Sequence, residues 1–236
     1  MFKRIVYIVT ALFVLESCGK SENEMRVTGA VTGLKKGTLL LQKLDDTLVI
    51  SVDSIQINGV NAFSFEEEII SPEMYYLYLR LDNGNLVDER IPFFGEATDI
   101  HIKTSLELFG SDAIISGSKN DSIYRMHQKL IQRYIDRNLD LTAENFEAIR
   151  DENDSLLIEN KAKQNRLLSS KYLATVNFVI NHNDYEAAPY LALTEIYDAN
   201  IKYLDTVYTS LTPKIKDSKY GITLESFIAN IKKSVN

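Results

Sequence analysis

The sequence predicts an α+β fold: an N-terminal antiparallel β-sandwich of about eight strands, followed by a helical C-terminal region with one long helix. Two observations predict it. Nine of the ten glycines lie at or before Gly117, where short alternating apolar runs are separated by turn residues. From 118 to 188 the chain has neither Gly nor Pro, and apolar residues recur every three or four positions, as on one helix face.

These patterns divide the chain into four predicted parts. Residues 1–17 are a signal peptide, 18–25 a lipid-anchored tether, 26–117 the β-sandwich and 118–236 the helical region. The part that remains after signal cleavage is long enough to bury a sizeable core.

Alternating side chains between turn signals define the strands. In the aromatic run, Tyr75, Leu77 and Leu79 fall on one face because successive strand residues point to opposite sides. The predicted strands span residues 26–32, 38–43, 47–57, 62–69, 73–81, 86–94, 98–103 and 113–116.

The helical periodicity begins after the last strand. Ser118 or Asn120 suits a helix cap, and the first helix is expected to end at 138–141. A long helix then starts at Thr142 and ends at 182–184. The remaining predicted helices span residues 185–199, 201–211 and 223–234.

The middle of the long helix is polar, and two asparagines lie seven residues apart within it. Asn153 and Asn160 fall on one row with Phe146 and Leu167. This row is typical either of a short coiled-coil seam with buried Asn or of a solvated helix middle, and the second explanation is the commoner.

The N-terminus has the features of a signal peptide. Lys3 and Arg4 precede the apolar run 5–15, which is shorter than the about 20 residues of a membrane-spanning helix. The run ends at Cys18, the only cysteine, in a sequence that resembles a bacterial lipobox except for the charged Glu16. We therefore expect Cys18 to be lipidated and to become the mature N-terminus.

Charge and cysteine content exclude several classes of function. Loss of residues 1–17 changes the formal net charge from −7 to −8, because Lys3, Arg4 and Glu16 leave together. An acidic chain does not offer the basic surface that nucleic acid requires. With Cys18 acylated, the folded part has no thiol for a disulfide, a thiolate metal site or a nucleophile.

The order of motifs resembles a known family, the lipid-anchored Bacteroidota proteins that carry domain of unknown function 4369. The matching residues are Val27-Thr28-Gly29-Ala30-Val31, Gly33, Gly37-Thr38-Leu39-Leu40-Leu41, Asp53-Ser54-Ile55, Phe63-Ser64-Phe65, Pro72-Glu73-Met74-Tyr75-Tyr76-Leu77, Gly117-Ser118-Lys119-Asn120-Asp121, Leu211-Thr212-Pro213 and Asp217-Ser218-Lys219-Tyr220-Gly221. The domain usually precedes a thioredoxin-like domain with a Cys-x-x-Cys pair, whereas this sequence ends at Asn236 without one. The resemblance therefore implies no redox catalysis and supplies no catalytic residues.

Three functions remain open. We expect a cell-envelope protein attached to the outer membrane by its lipid, without a catalytic site, cofactor or metal, that binds a protein or glycan partner. Alternatives are a non-catalytic accessory of a thiol-disulfide system and a carboxylate-based hydrolase. His101, His127 and His182 lack a second ligand at metal-binding spacing and are expected to be structural.

A short triplet recurs along the chain. Asp, then Ser or Thr, then an aliphatic residue resembles the O-glycosylation signal of Bacteroidota envelope proteins, and roughly one copy is expected by chance. The candidate acceptors are Thr47, Ser54, Ser122, Ser155 and Thr206. The competing explanation is local structure, because Asp and Ser favour turns and helix starts.

The lipid anchor is directly testable by replacing its acceptor. We expect Cys18→Ala to accumulate as an unprocessed precursor and to lose labelling by a fatty-acid probe, whereas Ser21→Ala matures normally. Normal maturation of Cys18→Ala would contradict the lipoprotein assignment.

Overall fold

The computed structural model describes residues 23–45, 48–85, 87 and 89–235. The signal peptide, Cys18 and the candidate acceptor Thr47 lie outside these residues. The strands are β1 (Glu24–Thr32), β2 (Lys36–Asp45), β3 (Leu48–Asn58), β4 (Ala62–Glu68), β5 (Glu73–Leu81), β6 (Ile91–Gly95), β7 (Asp99–Ser105) and β8 (Ile114–Ser116). The helices are α1 (Lys119–Arg150), α2 (Asp154–Ile180), α3 (Ala187–Glu195), α4 (Ile201–Ser210), α5 (Pro213–Lys216) and α6 (Lys219–Val235).

The eight strands form two four-stranded sheets, which confirms the predicted α+β fold with an N-terminal sandwich. One sheet has the order β4-β1-β7-β8 and the other β3-β2-β5-β6. All strand pairs within the described ranges are antiparallel except β1 and β7, which are parallel. A parallel pair requires a long crossover, and the strands from β2 to β6 supply it.

The inner faces of the two sheets form the sandwich core. Val27 and Ile100 from one sheet pack in one cluster with Leu39, Tyr75 and Phe93 from the other, and all five are fully buried. The predicted inward face of β5 is therefore confirmed. The other face of β5 carries Met74 and Tyr76, which contact the helical region.

The strand predicted at 86–94 is shorter in the structure and begins only at Ile91. The preceding residues Glu89 and Arg90 are exposed, and a charged stretch without apolar alternation has no face to bury in a sheet. The Glu89 carboxylate instead accepts a hydrogen bond from the Gly110 N–H at 2.9 Å.

The first two helices form a hairpin whose turn lies later than the sequence predicted. The expected break at 138–141 is wrong, because α1 continues for 32 residues to Arg150. Leu141 is buried, and the Thr142 hydroxyl donates to the Asn138 carbonyl within the helix. The break comes after Arg150, where the Asn153 side chain accepts a hydrogen bond from the Leu156 N–H and caps α2.

The two asparagines of the polar row have different roles. Asn153 is the exposed cap of α2, whereas Asn160 is fully buried and accepts from the Lys163 ammonium. The expectation of a wholly solvated helix middle is therefore wrong at Asn160. Nearby, the Asn145 amide of α1 donates to the Gln164 amide oxygen of α2.

The later helices cover the base of the hairpin and one end of the sandwich. Their core contains Val179, Leu191, Leu204, Ile215 and Leu224, which are all fully buried. The result is three layers in which β5 and β6 lie between the opposite sheet and the helices.

Buried His127 makes the stability of the hairpin depend on pH. Its Nε2 lies 3.0 Å from the Thr175 hydroxyl of α2, and burial lowers its pKa from 6.5 to about 4. The folded state thus binds fewer protons than the unfolded state between these values. Protonation of His127 therefore leaves the free energy of unfolding unchanged above pH 6.5. It lowers this free energy as the pH falls from 6.5 towards 4, by about 3 kcal/mol in total.

Replacing both members of this pair tests the assignment. We expect His127→Leu with Thr175→Val to flatten the decrease in unfolding free energy between pH 7 and pH 5, measured by urea denaturation. His101→Gln, at an exposed histidine, is the control and keeps the wild-type profile. An unchanged pH dependence in the double variant would contradict the role of His127.

Candidate functional site

The contact between sandwich and helices centres on two backbone N–H groups. Met74 of β5 and Phe94 of β6 are cross-strand partners. The Met74 N–H donates to the Tyr220 hydroxyl at 2.9 Å, and the Phe94 N–H donates to the Asp121 carboxylate at 3.2 Å. Both donors lie where the sheet ends, because β6 is an edge strand and the pairing of β5 with β2 stops at Tyr75. Helical side chains therefore complete the hydrogen bonding of the sheet.

A cluster of aromatic rings fills the space around these bonds. The Phe94 ring centroid lies 5.2 Å from that of Tyr190 and 6.1 Å from those of Tyr124 and Tyr220. Burial raises the pKa of Tyr190 and of Tyr220, so their hydroxyls stay protonated. Edge-to-face packing of this kind stabilises an interface beyond its buried area.

Asp121 joins this cluster to the start of α1. The Ser118 hydroxyl caps the helix by accepting from the Asp121 N–H at 2.9 Å. Burial raises the pKa of Asp121, and the Arg125 guanidinium opposes that rise from 2.7 Å. Arg125 also donates to the Pro92 carbonyl. Both members of the Asp121–Arg125 ion pair of α1 are therefore hydrogen-bonded to the backbone of β6.

A cleft of about 1080 Å³ opens beside the interface. The end of the sandwich forms one wall, and the starts of α1, α3, α5 and α6 form the other. Its charged lining residues are Lys43, Glu68, Glu73, Glu96, Lys119, Asp184, Glu186, Lys214, Asp217 and Lys219.

One side of the cleft is organised by Glu73. Its carboxylate is nearly buried and forms ion pairs with Lys43, at 3.3 Å, and with Lys219 of α6. The Lys43 ammonium also donates to the Tyr75 hydroxyl at 3.4 Å and lies 3.4 Å from Glu67. Burial and the neighbouring carboxylates raise the pKa of Tyr75, so this hydroxyl is not a base.

The other side contains a pair of glutamates that share one amide. The Asn120 Nδ2 donates to Glu96 at 2.7 Å and to Glu186 at 3.2 Å. Its Oδ1 accepts from the Ala187 N–H at 3.0 Å, and the Lys119 N–H donates to the second oxygen of Glu96. The Asn120 amide nitrogen therefore bridges the two carboxylates, which both accept from it.

Two exposed isoleucines lie at the mouth of the cleft among exposed charged residues, close to the first described residue. Ile70 is fully exposed and Ile222 is half exposed. The neighbouring Ile69 N–H donates to the Asn23 carbonyl at 2.9 Å, and Asn23 itself lines the cleft. The first described residue therefore lies at this mouth of the cleft.

The described candidate glycosylation residues all lie at the surface, on four different elements. Ser54, Ser122, Ser155 and Thr206 are exposed on β3, α1, α2 and α4. Local structure accounts for the aspartate of two triplets. Asp121 forms an ion pair with Arg125, and Asp154 is the first residue of α2. Use of these hydroxyls as acceptors stays a prediction.

The histidines do not come together. His101 lies on β7 beside the Thr28 hydroxyl, His127 is buried in the hairpin, and His182 stacks on Phe178. Across the ranges that the structure describes, no three His, Cys, Asp or Glu residues are placed to hold a metal ion. Within the same ranges, every helix falls short of the length and apolarity of a membrane span.

The sequence did not identify the side chains that assemble the cleft. Glu73 and Lys219 are 146 residues apart, as are Met74 and Tyr220, and no local motif links such distant positions. Only the cap at Ser118 had a local signal, since Ser at a strand-to-helix junction predicts an N-cap.

Comparison with known proteins finds a match for the N-terminal part of the chain. Residues 25–124 match the family model described as Domain of unknown function (DUF4369). The match covers the sandwich and the start of α1, and the rest of the helical region lies outside it. No curated protein and no solved structure matches the chain significantly.

The Tyr220 hydroxyl offers a direct test of the interface. Tyr220→Phe leaves the buried Met74 N–H without its acceptor and is expected to lower the free energy of unfolding by roughly 1–3 kcal/mol. Tyr197→Phe, at an exposed tyrosine, is the matched control and should change it by less than about 0.5 kcal/mol. Equal effects of the two substitutions in urea denaturation would contradict the assigned hydrogen bond.

Proposed function

We propose that this chain, whose residues 25–124 form a domain of unknown function 4369, is a lipid-anchored cell-envelope protein that binds a partner protein in the cleft between its sandwich and its helices. The single observation that carries the proposal is the cleft itself. It is large, it is lined by side chains from both regions, and it adjoins the start of the described chain.

Anchoring at Cys18 supports a role at a membrane surface. The five residue-to-residue steps from Cys18 to Asn23 span at most about 18 Å when extended. Asn23 lines the cleft, so a lipid on Cys18 keeps the mouth of the cleft close to the bilayer. The acidic balance of the chain means that the lipid, rather than attraction to anionic headgroups, supplies the attachment. We place the protein at the outer membrane.

The chemistry of the cleft favours a protein segment over a glycan. Sugar sites use exposed aromatic rings for stacking, and among the described residues that line the cleft Tyr185 alone is aromatic. The aromatic cluster around Phe94 is occupied by the interface. The lysines and carboxylates of the cleft, together with the exposed Ile70 and Ile222, offer both polar and apolar contacts to the mixed side chains of a polypeptide.

A specific arrangement keeps the hydrolase as a second candidate. Glu96 and Glu186 both line the cleft, and glycoside hydrolysis uses a pair of carboxyl groups. Binding is nevertheless better supported, because both oxygens of Glu96 accept hydrogen bonds and Asn120 lies between the two carboxylates. The single cysteine of the sequence is Cys18. An accessory of a thiol-disulfide system would therefore act by binding a partner and not by thiol chemistry of its own.

Capture from native cells with a matched surface control tests the proposal. We expect the wild-type lipoprotein to retain a partner that Ile70→Asp with Ile222→Asp loses by about tenfold or more, because these two large apolar side chains are exposed in the lining of the cleft. Val60→Asp with Ile114→Asp changes two exposed apolar residues outside the cleft lining and should retain the partner. Equal capture by both variants, quantified by mass spectrometry, would contradict the cleft as the binding site.

A further inference from the structure

The distal part of α1 carries two apolar stripes, and only one is covered. Ile131, Leu141 and Ala148 are buried. On another face, Leu139 and Ile149 are each 61% exposed and Phe146 is 71% exposed. This exposed stripe lies within a helix that is otherwise strongly charged, and contiguous exposed apolar surface marks an interaction site.

The spacing of the exposed stripe is that of a coiled coil. Ile135, Leu139, Thr142, Phe146 and Ile149 follow one another at intervals of four, three, four and three residues. These are the alternating core positions of two heptads, which place their side chains along one line facing a partner helix. The buried Leu141 and Ala148 are absent from this line and serve the hairpin itself.

The neighbouring helix extends the same surface. A groove of about 390 Å³ runs between α1 and α2, lined by Ile135 and Leu139 on one side and by Leu167 and Leu168 on the other. Leu168 is 46% exposed. A second helix that covers the stripe can therefore pack against both helices of the hairpin, as in a four-helix bundle.

The charges beside the stripe are self-complementary. Asp136, Ala143 and Arg150 lie seven residues apart along one flank of the stripe, and all three are exposed. When two identical helices pair antiparallel about a two-fold axis, the same flank of each meets the other. An axis near Ala143 then brings Asp136 of one copy opposite Arg150 of the second copy, twice, with the small Ala143 side chains at the centre.

We propose that the chain forms a two-fold homodimer in which the stripe Ile135–Leu139–Thr142–Phe146–Ile149 of α1 pairs antiparallel with the same stripe of a second copy. The two Asp136–Arg150 contacts set the register. A lipid surface is a poorer occupant, because residues 133–150 carry four carboxylates against three arginines, so anionic headgroups gain no net attraction. The dimer does not depend on the proposed role of the cleft.

Cross-linking in the membrane tests the proposed two-fold axis in the full-length chain. Ala143→Cys places one new thiol next to its counterpart, so a short bis-maleimide should give a covalent dimer. Lys129→Cys, which lies about 20 Å along the helix from the axis, is the matched control and should stay monomeric with the same reagent. No dimer from Ala143→Cys, or equal cross-linking of both variants, would overturn the proposal.

Sedimentation of residues 19–236, which contain every strand and helix described, tests the charge register. Asp136→Arg places like charges opposite each other twice and should weaken dimerisation about tenfold. Asp136→Arg with Arg150→Asp restores opposite charges and should recover wild-type affinity. Circular dichroism confirms that each variant is folded. The proposal would be overturned if the wild-type protein is monomeric at all concentrations or binds phosphatidylcholine vesicles as a monomer. It would also be overturned if the double variant dimerises no more tightly than Asp136→Arg.

Discussion

The structure depends on how two backbone N–H groups at one end of a sheet are paired. Met74 and Phe94 are cross-strand neighbours whose N–H groups point away from the sheet and donate to Tyr220 and Asp121. A buried donor without an acceptor is costly, so this end of the sandwich is complete only when the helices are in place. The helical region is thus part of the same cooperative unit as the sandwich rather than an appended linker.

The cleft is a consequence of this contact. Docking through Met74 and Phe94 brings Lys219 to Glu73, and Asn120 to Glu96 and Glu186. The carboxylates of Glu73, Glu96 and Glu186 therefore each contact a group from the helical region. The lining of the cleft contains residues of both regions. The family match ends at residue 124, and eight of the 22 described lining residues, from Asp184 to Ile222, lie beyond it.

Local patterns in the sequence predicted what depends on neighbouring residues. The alternation of β5 identified Tyr75, Leu77 and Leu79 as core, and the cap of α1 is Ser118, one of the two candidates that the sequence offered. The parallel pairing of β1 with β7 and the hydrogen bond from Met74 to Tyr220 join distant positions, which periodicity does not connect. The helix break was misplaced because Asn138 and Thr142 are tolerated inside α1, whereas the stop signal is the cap at Asn153.

Native-state hydrogen exchange at the Met74 and Phe94 amides measures most directly whether sandwich and helices form one unit. The structure predicts that both amides exchange only through global unfolding, with a free energy of opening equal to that of the most protected core amides such as Val27 and Leu39. Exchange of Met74 and Phe94 at a much lower free energy, while the sandwich core stays protected, would show that the helices detach independently and would contradict this account.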